Sequence, residues 1–249
     1  MIILRSAREI EKIRKACLIV AEILEQLREH IQPGVTTWDL NVLSEELAAK
    51  RKAKPAFKGY HGFPHALCTS VNEEIVHGIP SREKRLKEGD IISLDFGVVI
   101  DGYYGDAAMT LPVGCVSEEA RNLCRVAEEA LYHGIGQAMV ANRLSDISHA
   151  IQEYVESGGY SVVREFVGHG IGQKLHESPQ IPNYGPPGKG VKLKAGMVFA
   201  IEPMINQGGA AVEILKDQWT AVTRDRSLSA HFEHTVAVTE NGPDILSRP

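Results

Sequence analysis

Only four cysteines, at positions 17, 68, 115 and 124, occur in the 249 residues, and no two form a CxxC pair. Their spacing offers no disulfide framework; in a chain this long they read as free thiols of a reducing compartment. No apolar run approaches the roughly 20 residues needed to span a bilayer. The opening stretch, "MIILRSAREIEKIRKACLIV", is charged throughout and has no signal-peptide apolar centre. Strong charge bias is missing as well: 27 Lys and Arg stand against 32 Asp and Glu, a net charge of −5. That balance excludes a surface built as a whole for nucleic acid. Two basic clusters, Arg51-Lys52-Lys54 and Arg82-Lys84-Arg85-Lys87, read first as solvated surface. The expectation is a cytoplasmic, soluble monomer with no membrane association and no specific nucleic-acid partner.

What the chain does have is a globular composition, 43% apolar, enough for one large domain or two small ones. Residues 7–31 carry helical spacing at Ile10, Ile13, Cys17, Val20, Ile23, Leu24 and Leu27. "QPGVT" then stops that helix and starts another, with Thr36 or Thr37 as its cap and Leu40, Leu43 and Leu47 on one face. Residues 117–140 and 145–157 repeat the plan, with Ser145 expected as the cap of the latter. The repeat extends to sequence. "RLKEGDIISLD" (85–95) aligns with "KLKAGMVFAIE" (192–202), and the shift between Asp95 and Glu202 also sets Asp39 on Asp146 and Glu46 on Glu153. Two related helix-helix-strand halves, about 1–112 and 113–249, are therefore expected in a single pseudo-twofold domain, with a site between them.

Acids sit where a core should be. Asp95 interrupts "IISLDFGVVI" and Asp106 lies in "GYYGDAAMTL"; Glu202 sits in "MVFAIEPM" and Glu233 in "SAHFEHTVAV". Asp101-Gly102 is a favoured two-residue hairpin turn. Its register pairs Gly97 with Asp106 and turns Asp95 to the same face, so two carboxylates converge on a gap. A buried salt bridge, a cap or a solvated edge would explain one such acid. None of these four runs, however, contains a Lys or Arg, and a shared cation explains all four acids together. His169, between glycines in "GHGIGQKLHES", offers a nitrogen ligand; the flanking glycines suggest a sharp turn that carries it into a crowded site. His30, His133 and His149 read as ordinary packed or surface residues. Two Asp, two Glu and one His suit Mn, Fe, Co or Zn, and four carboxylates are enough to bridge two ions.

The stretches "GYHGFPHALCTSVNEEIVHGIP", "DGYYGDAAMT", "GHGIGQKLHESP", "FAIEPM" and "SLSAHFEHT" together resemble the type I methionine aminopeptidases of the bacterial type, over essentially the whole chain. The resemblance implies the pita-bread fold, a pseudo-twofold α/β (α+β) domain around a curved antiparallel sheet. It implies two divalent ions held by Asp95, Asp106, His169, Glu202 and Glu233, with Asp106 and Glu233 bridging. His77 and His176 would contact the scissile peptide, and Glu202 would shuttle a proton. The methionine pocket would come from Phe57, Tyr60, Phe63, Cys68 and Trp219. Asn72 and Ser229 lie where some relatives hold a monovalent cation. The implied activity is removal of the initiator methionine from nascent proteins and peptides, with a small second residue preferred, by attack of a metal-bridging hydroxide. Transient ribosome contact through the basic clusters is a further expectation.

On this reading the protein is expected to lack the zinc-binding N-terminal extension of eukaryotic type I relatives, and its second half shows no helical insertion of the type II kind. It departs from some relatives in having Leu175 in place of an aromatic and Gly97 in place of Thr. Two rivals stand beside this reading. A proline-directed peptidase of the same fold usually carries an extra N-terminal domain. A non-catalytic binding module on the fold would be expected to have lost ligands that this chain retains.

Overall fold

The computed structural model describes residues 2–248. Among these, the helices are α1 (Ala7–Arg28), α2 (Thr37–Lys50), α3 (Glu118–Gly136) and α4 (Leu144–Ser157). Before α3 come strands β1 (Lys54–Pro55), β2 (Leu67–Val71), β3 (Glu74–Val76), β4 (Ile91–Ile100) and β5 (Tyr103–Pro112). After α4 come β6 (Ser161–Val162), β7 (Gly168–Gly170), β8 (Glu177–Ile181), β9 (Val198–Ile201) and β10 (Met204–Asn206). The last five are β11 (Val212–Ile214), β12 (Ala221–Thr223), β13 (Ser229–His231), β14 (Glu233–Thr239) and β15 (Gly242–Ile245).

Local chemistry sets the helix starts. Ser6 caps α1: its hydroxyl accepts from the Glu9 N–H, and the Glu9 carboxylate accepts from the Ser6 N–H at 2.9 Å. Of the two candidate threonines, Thr36 caps α2, with the reciprocal bonds to Asp39 both 3.1 Å. The second half corrects one expectation. Arg143, not Ser145, occupies the cap position of α4, its N–H donating to Asp146 at 2.7 Å. The sheet-like bridge Arg143–Lys192 fixes that start, as Thr36–Arg85 fixes the start of α2. Ser145 lies inside the first turn, where its hydroxyl accepts from the Lys189 N–H at 2.7 Å.

The main sheet runs β1-β4-β5-β14-β9-β7-β8, with β2 also on β4 and β15 also on β14, and all its pairs are antiparallel. The β4–β5 hairpin turns at Asp101-Gly102, both with positive φ (51° and 77°), and pairs Gly97 with Asp106 as expected. The halves join where β5 meets β14, at Glu233–Ala108 and His234–Ala107. There the Thr235 hydroxyl also donates to the Asp106 carbonyl at 2.8 Å.

Each half has its own core. Ile23, Leu24, Leu27, Leu40 and Leu47 of α1 and α2 pack with Leu94, Phe96 and Val98 of β4. Leu123, Leu131, Ile147 and Ile151 of α3 and α4 pack with Phe199, Ile201 and Val236. Helix α1 lies directly on β5: a Cβ added at Gly105 would stand 2.4 Å from the Cys17 backbone nitrogen. Side-chain alternation then turns Asp106, between Gly105 and Ala107, away from the helices. No described helix is long and apolar enough to cross a membrane.

Candidate metal centre

The acids meet on the helix-free face of the sheet. Asp95 and Asp106 project from β4 and β5. A Cβ at Gly97, opposite Asp106, would stand 3.2 Å from Asp106 Oδ1 and 2.9 Å from the Phe57 ring. Its absence leaves the gap into which the carboxylates point. Glu233 opens β14, and Glu202 directly follows β9. The register that sets His234 opposite Ile201 brings the two glutamates side by side.

His169 enters from β7. Its flanking glycines serve close packing and not the turn expected from sequence. A Cβ at Gly168 would stand 2.4 Å from the Ala200 carbonyl, and one at Gly170 would stand 2.4 Å from the Ser178 carbonyl. The strand therefore threads between β9 and β8 only with hydrogen at both positions. The Nδ1 atom of His169 lies 3.0 Å from the Gly170 carbonyl, which makes it the donor. Nε2 is left bare toward the site, 3.4 Å from Glu202 Oε1. Asp106, His169 and Glu233 each offer a ligand atom within 4.8 Å of the others.

The electrostatics fit cations. Asp95 Oδ1, Asp106 Oδ1 and Glu233 Oε1 are buried with no hydrogen-bond partner among the described residues. Among the described residues, the basic groups within 4 Å of Glu202 are the imidazoles of His169 and His231, and no Lys or Arg pairs with any of the four acids. Burial pushes the Asp95 carboxyl up. Burial and then the neighbouring carboxylates push Asp106, Glu202 and Glu233 well above their usual range. Four acids that cannot all ionise alone become stable as carboxylates when divalent ions neutralise them. An oxygen-rich set with one imidazole suits such ions.

A cavity of about 220 Å³ opens beside this cluster, lined by all five of these residues together with His77, His176, Phe57, Tyr60, Phe63, Cys68 and Trp219. All the pocket and peptide-contacting residues expected from sequence are thus in one place. Phe63 and Trp219 meet edge to face, with centroids 5.2 Å apart, and burial pushes the Cys68 thiol well up, so it stays neutral. The Tyr60 hydroxyl lies 3.1 Å from His176 Nδ1, and the His176 and His169 rings are 4.2 Å apart. His77 adopts φ +60°, a conformation rare for residues other than glycine, and packs on Phe166 at 5.3 Å. Burial lowers His77 to about 4 and His169 to about 3, and lowers His176 in the same direction. All three imidazoles are neutral at ordinary pH.

Asn72 and Ser229 lie outside the cavity but together: the Ser229 N–H donates to the Asn72 carbonyl at 2.9 Å. Two further residues of the site carry no signal in the sequence: His61, which lines the cavity, and Asn183, whose amide donates to the Glu202 carbonyl at 3.0 Å. A third residue of the site is His231, two residues before Glu233 on a run where alternation puts both on one face, the one signal that could have found it.

Comparison with known proteins bears on the chain as a whole. The family model described as metallopeptidase family M24 matches residues 11–240. Methionine aminopeptidase 1 of Bacillus subtilis is 55% identical over 248 residues, covering 100% of both chains. The crystal structure of methionine aminopeptidase from Thermotoga maritima superposes with a TM-score of 0.99 at 52% identity, again over 100% of each chain. The prolidase from Pyrococcus horikoshii shares the fold at TM-score 0.81 and 24% identity, and this chain spans 63% of it.

Proposed function

The chain belongs to metallopeptidase family M24, among its methionine aminopeptidases, and from that premise we propose how its own residues remove an N-terminal methionine. The enzyme is metal-dependent, and its fold is the duplicated α/β pita bread of that group. Asp95, Asp106, His169, Glu202 and Glu233 would hold two divalent ions; Mn, Fe, Co and Zn all suit the set. When bound, the ions supply Lewis acidity and lower the pKa of a water toward neutrality.

The substrate's α-amine is held near Asp95, and its side chain enters the pocket of Phe57, Tyr60, Phe63, Cys68 and Trp219, where sulfur meets aromatic edges. The Tyr60 hydroxyl at His176 Nδ1 favours a proton on Nε2, which can be donated to the carbonyl oxygen as negative charge grows. One such donor is worth about 2.7–4 kcal/mol. Glu202 accepts a proton from the attacking water and returns it to the leaving amine. His77, fixed in its left-handed conformation, orients the peptide beyond the scissile bond. The cavity, about 220 Å³, leaves little room at the second residue, so a small one is preferred.

Residues 1–112 and 113–249 act as one catalytic domain, since each contributes ligands. The natural substrates are nascent polypeptide N-termini in the cytoplasm, met by a monomer that touches the ribosome transiently through its basic clusters. Asn72 and Ser229 would bind a monovalent cation.

The observation that carries this reading is the set of partnerless buried carboxylate oxygens beside an aromatic pocket. The test is methionine release from Met-Ala-Ser by ion-stripped enzyme given Mn, Fe, Co, Zn or Mg singly. Release is expected only with added ion. Undiminished release in chelator, or faster cleavage of Xaa-Pro peptides, would overturn the reading.

A further inference from the structure

Glu202 stands between two imidazoles. Its Oε1 lies 3.4 Å from His169 Nε2, and its Oε2 lies 3.8 Å from Nε2 of His231. His231 is 1% exposed, and its Nε2 has no hydrogen-bond partner among the described residues. A buried, unpartnered imidazole nitrogen costs stability unless it has a use.

The backbone of His231 is locked. Its N–H donates to the Thr110 hydroxyl at 2.9 Å, and that hydroxyl donates to its carbonyl at 2.8 Å. Ser93 buttresses Thr110 at 2.8 Å. On β13, opposite Met204 of β10, the ring is therefore aimed at the second oxygen of Glu202, while the first oxygen faces the ligand His169. From behind, Asn183 holds the Glu202 carbonyl.

We propose that His231 is the positioning residue of Glu202: its Nε2–H steadies Oε2, so that the carboxylate keeps the orientation needed to hold an ion and to pass a proton. The inference rests on Glu202 being a metal ligand. Outer groups that orient a ligand typically change metal affinity or activity 10–100-fold when removed. No contact between His231 and substrate is required.

The experiment titrates ion-stripped protein with Mn2+ by calorimetry and measures kcat and KM on Met-Ala-Ser. It uses the parent, His231→Leu, His231→Gln, Glu202→Ala and the His231→Leu/Glu202→Ala double variant. His231→Leu should weaken Mn2+ binding about 10–100-fold and lower kcat with little change in KM. His231→Gln, which keeps a donor of similar reach, should recover to within several-fold of the parent. In the Glu202→Ala background the Leu substitution should add nothing. Parent-like binding by His231→Leu, equal impairment of the Gln and Leu variants, or undiminished loss in the Glu202→Ala background would each overturn the proposal. Should His231→Leu fail to fold, His231→Asn, a donor too short to reach, takes its place against His231→Gln. If the parent and Glu202→Ala bind Mn2+ equally, the ligand reading itself falls. If they differ and His231→Leu matches the parent, only the positioning role falls.

Discussion

A carboxylate buried without a counter-charge must either take up a proton or recruit a cation, and four residues of this chain face that choice in one cavity. The distinction between holding ions and handling peptide is testable one side chain at a time. Asp106→Asn and Glu233→Gln should lose bound metal, read by plasma mass spectrometry, together with methionine release. His77→Ala and His176→Ala should keep their metal yet lose about 10²–10³ in kcat. Metal loss in the histidine variants equal to that in the carboxylate variants would refute the division. At this scale the acids were legible from sequence, because an ionisable group in an apolar run contradicts its own surroundings. His231 was not: among ten histidines its role depends on the 3.8 Å to Glu202, a distance that strand register alone creates. The glycines beside His169 were noticed for the wrong reason. Their crowding partners, Ala200 and Ser178, belong to strands that only the fold brings near.

Elements follow local chemistry until a tertiary contact intervenes. The hairpin at Asp101-Gly102 and the cap at Thr36 agree with sequence, since both are decided within a few residues. The start of α4 does not, because Arg143 is pinned by its bridge to Lys192, far along the chain. The capping acids make a pH prediction. The Thr36 hydroxyl and backbone N–H hold Asp39 below the usual 3.8. The Arg143 and Gly188 N–H groups lower Asp146 in the same way. A folded pKa below the unfolded one stabilises above the unfolded value and loses that effect as pH falls through the folded one. Urea melts should therefore show Asp39→Ala less stable by about 1 kcal/mol at pH 7, with the gap shrinking below pH 3.8. The contact of α1 with β5 has no such dependence. Gly105→Ala must force a methyl into the Cys17 backbone, and a loss of about 1–3 kcal/mol or more is expected by the same melts at every pH.

The whole molecule is two cores sharing a sheet, and the proposed ion site lies on their seam. Asp95 and Asp106 come from the first half; His169, Glu202 and Glu233 come from the second. Direct joints exist besides: the two residue pairs of β5 with β14, and Arg5, whose buried guanidinium grips Glu177 of the second half at 2.5 Å. The duplication was legible because one sequence shift aligns both halves. How they face each other was not, because no local signal fixes the pairing of β5 with β14. Ions held by both halves, as proposed, would bind the native arrangement and not the unfolded chain. At 100 times its Kd, a ligand adds about 2.7 kcal/mol to native stability. For a chain of this size that converts to roughly 5–10 °C in Tm. Calorimetric scans of ion-stripped protein with rising Mn2+ should show one transition moving upward by that amount, and Glu233→Gln should abolish the movement. A Tm indifferent to Mn2+ in the parent would mean that the seam is held by protein contacts alone and that its acids carry no structural ion.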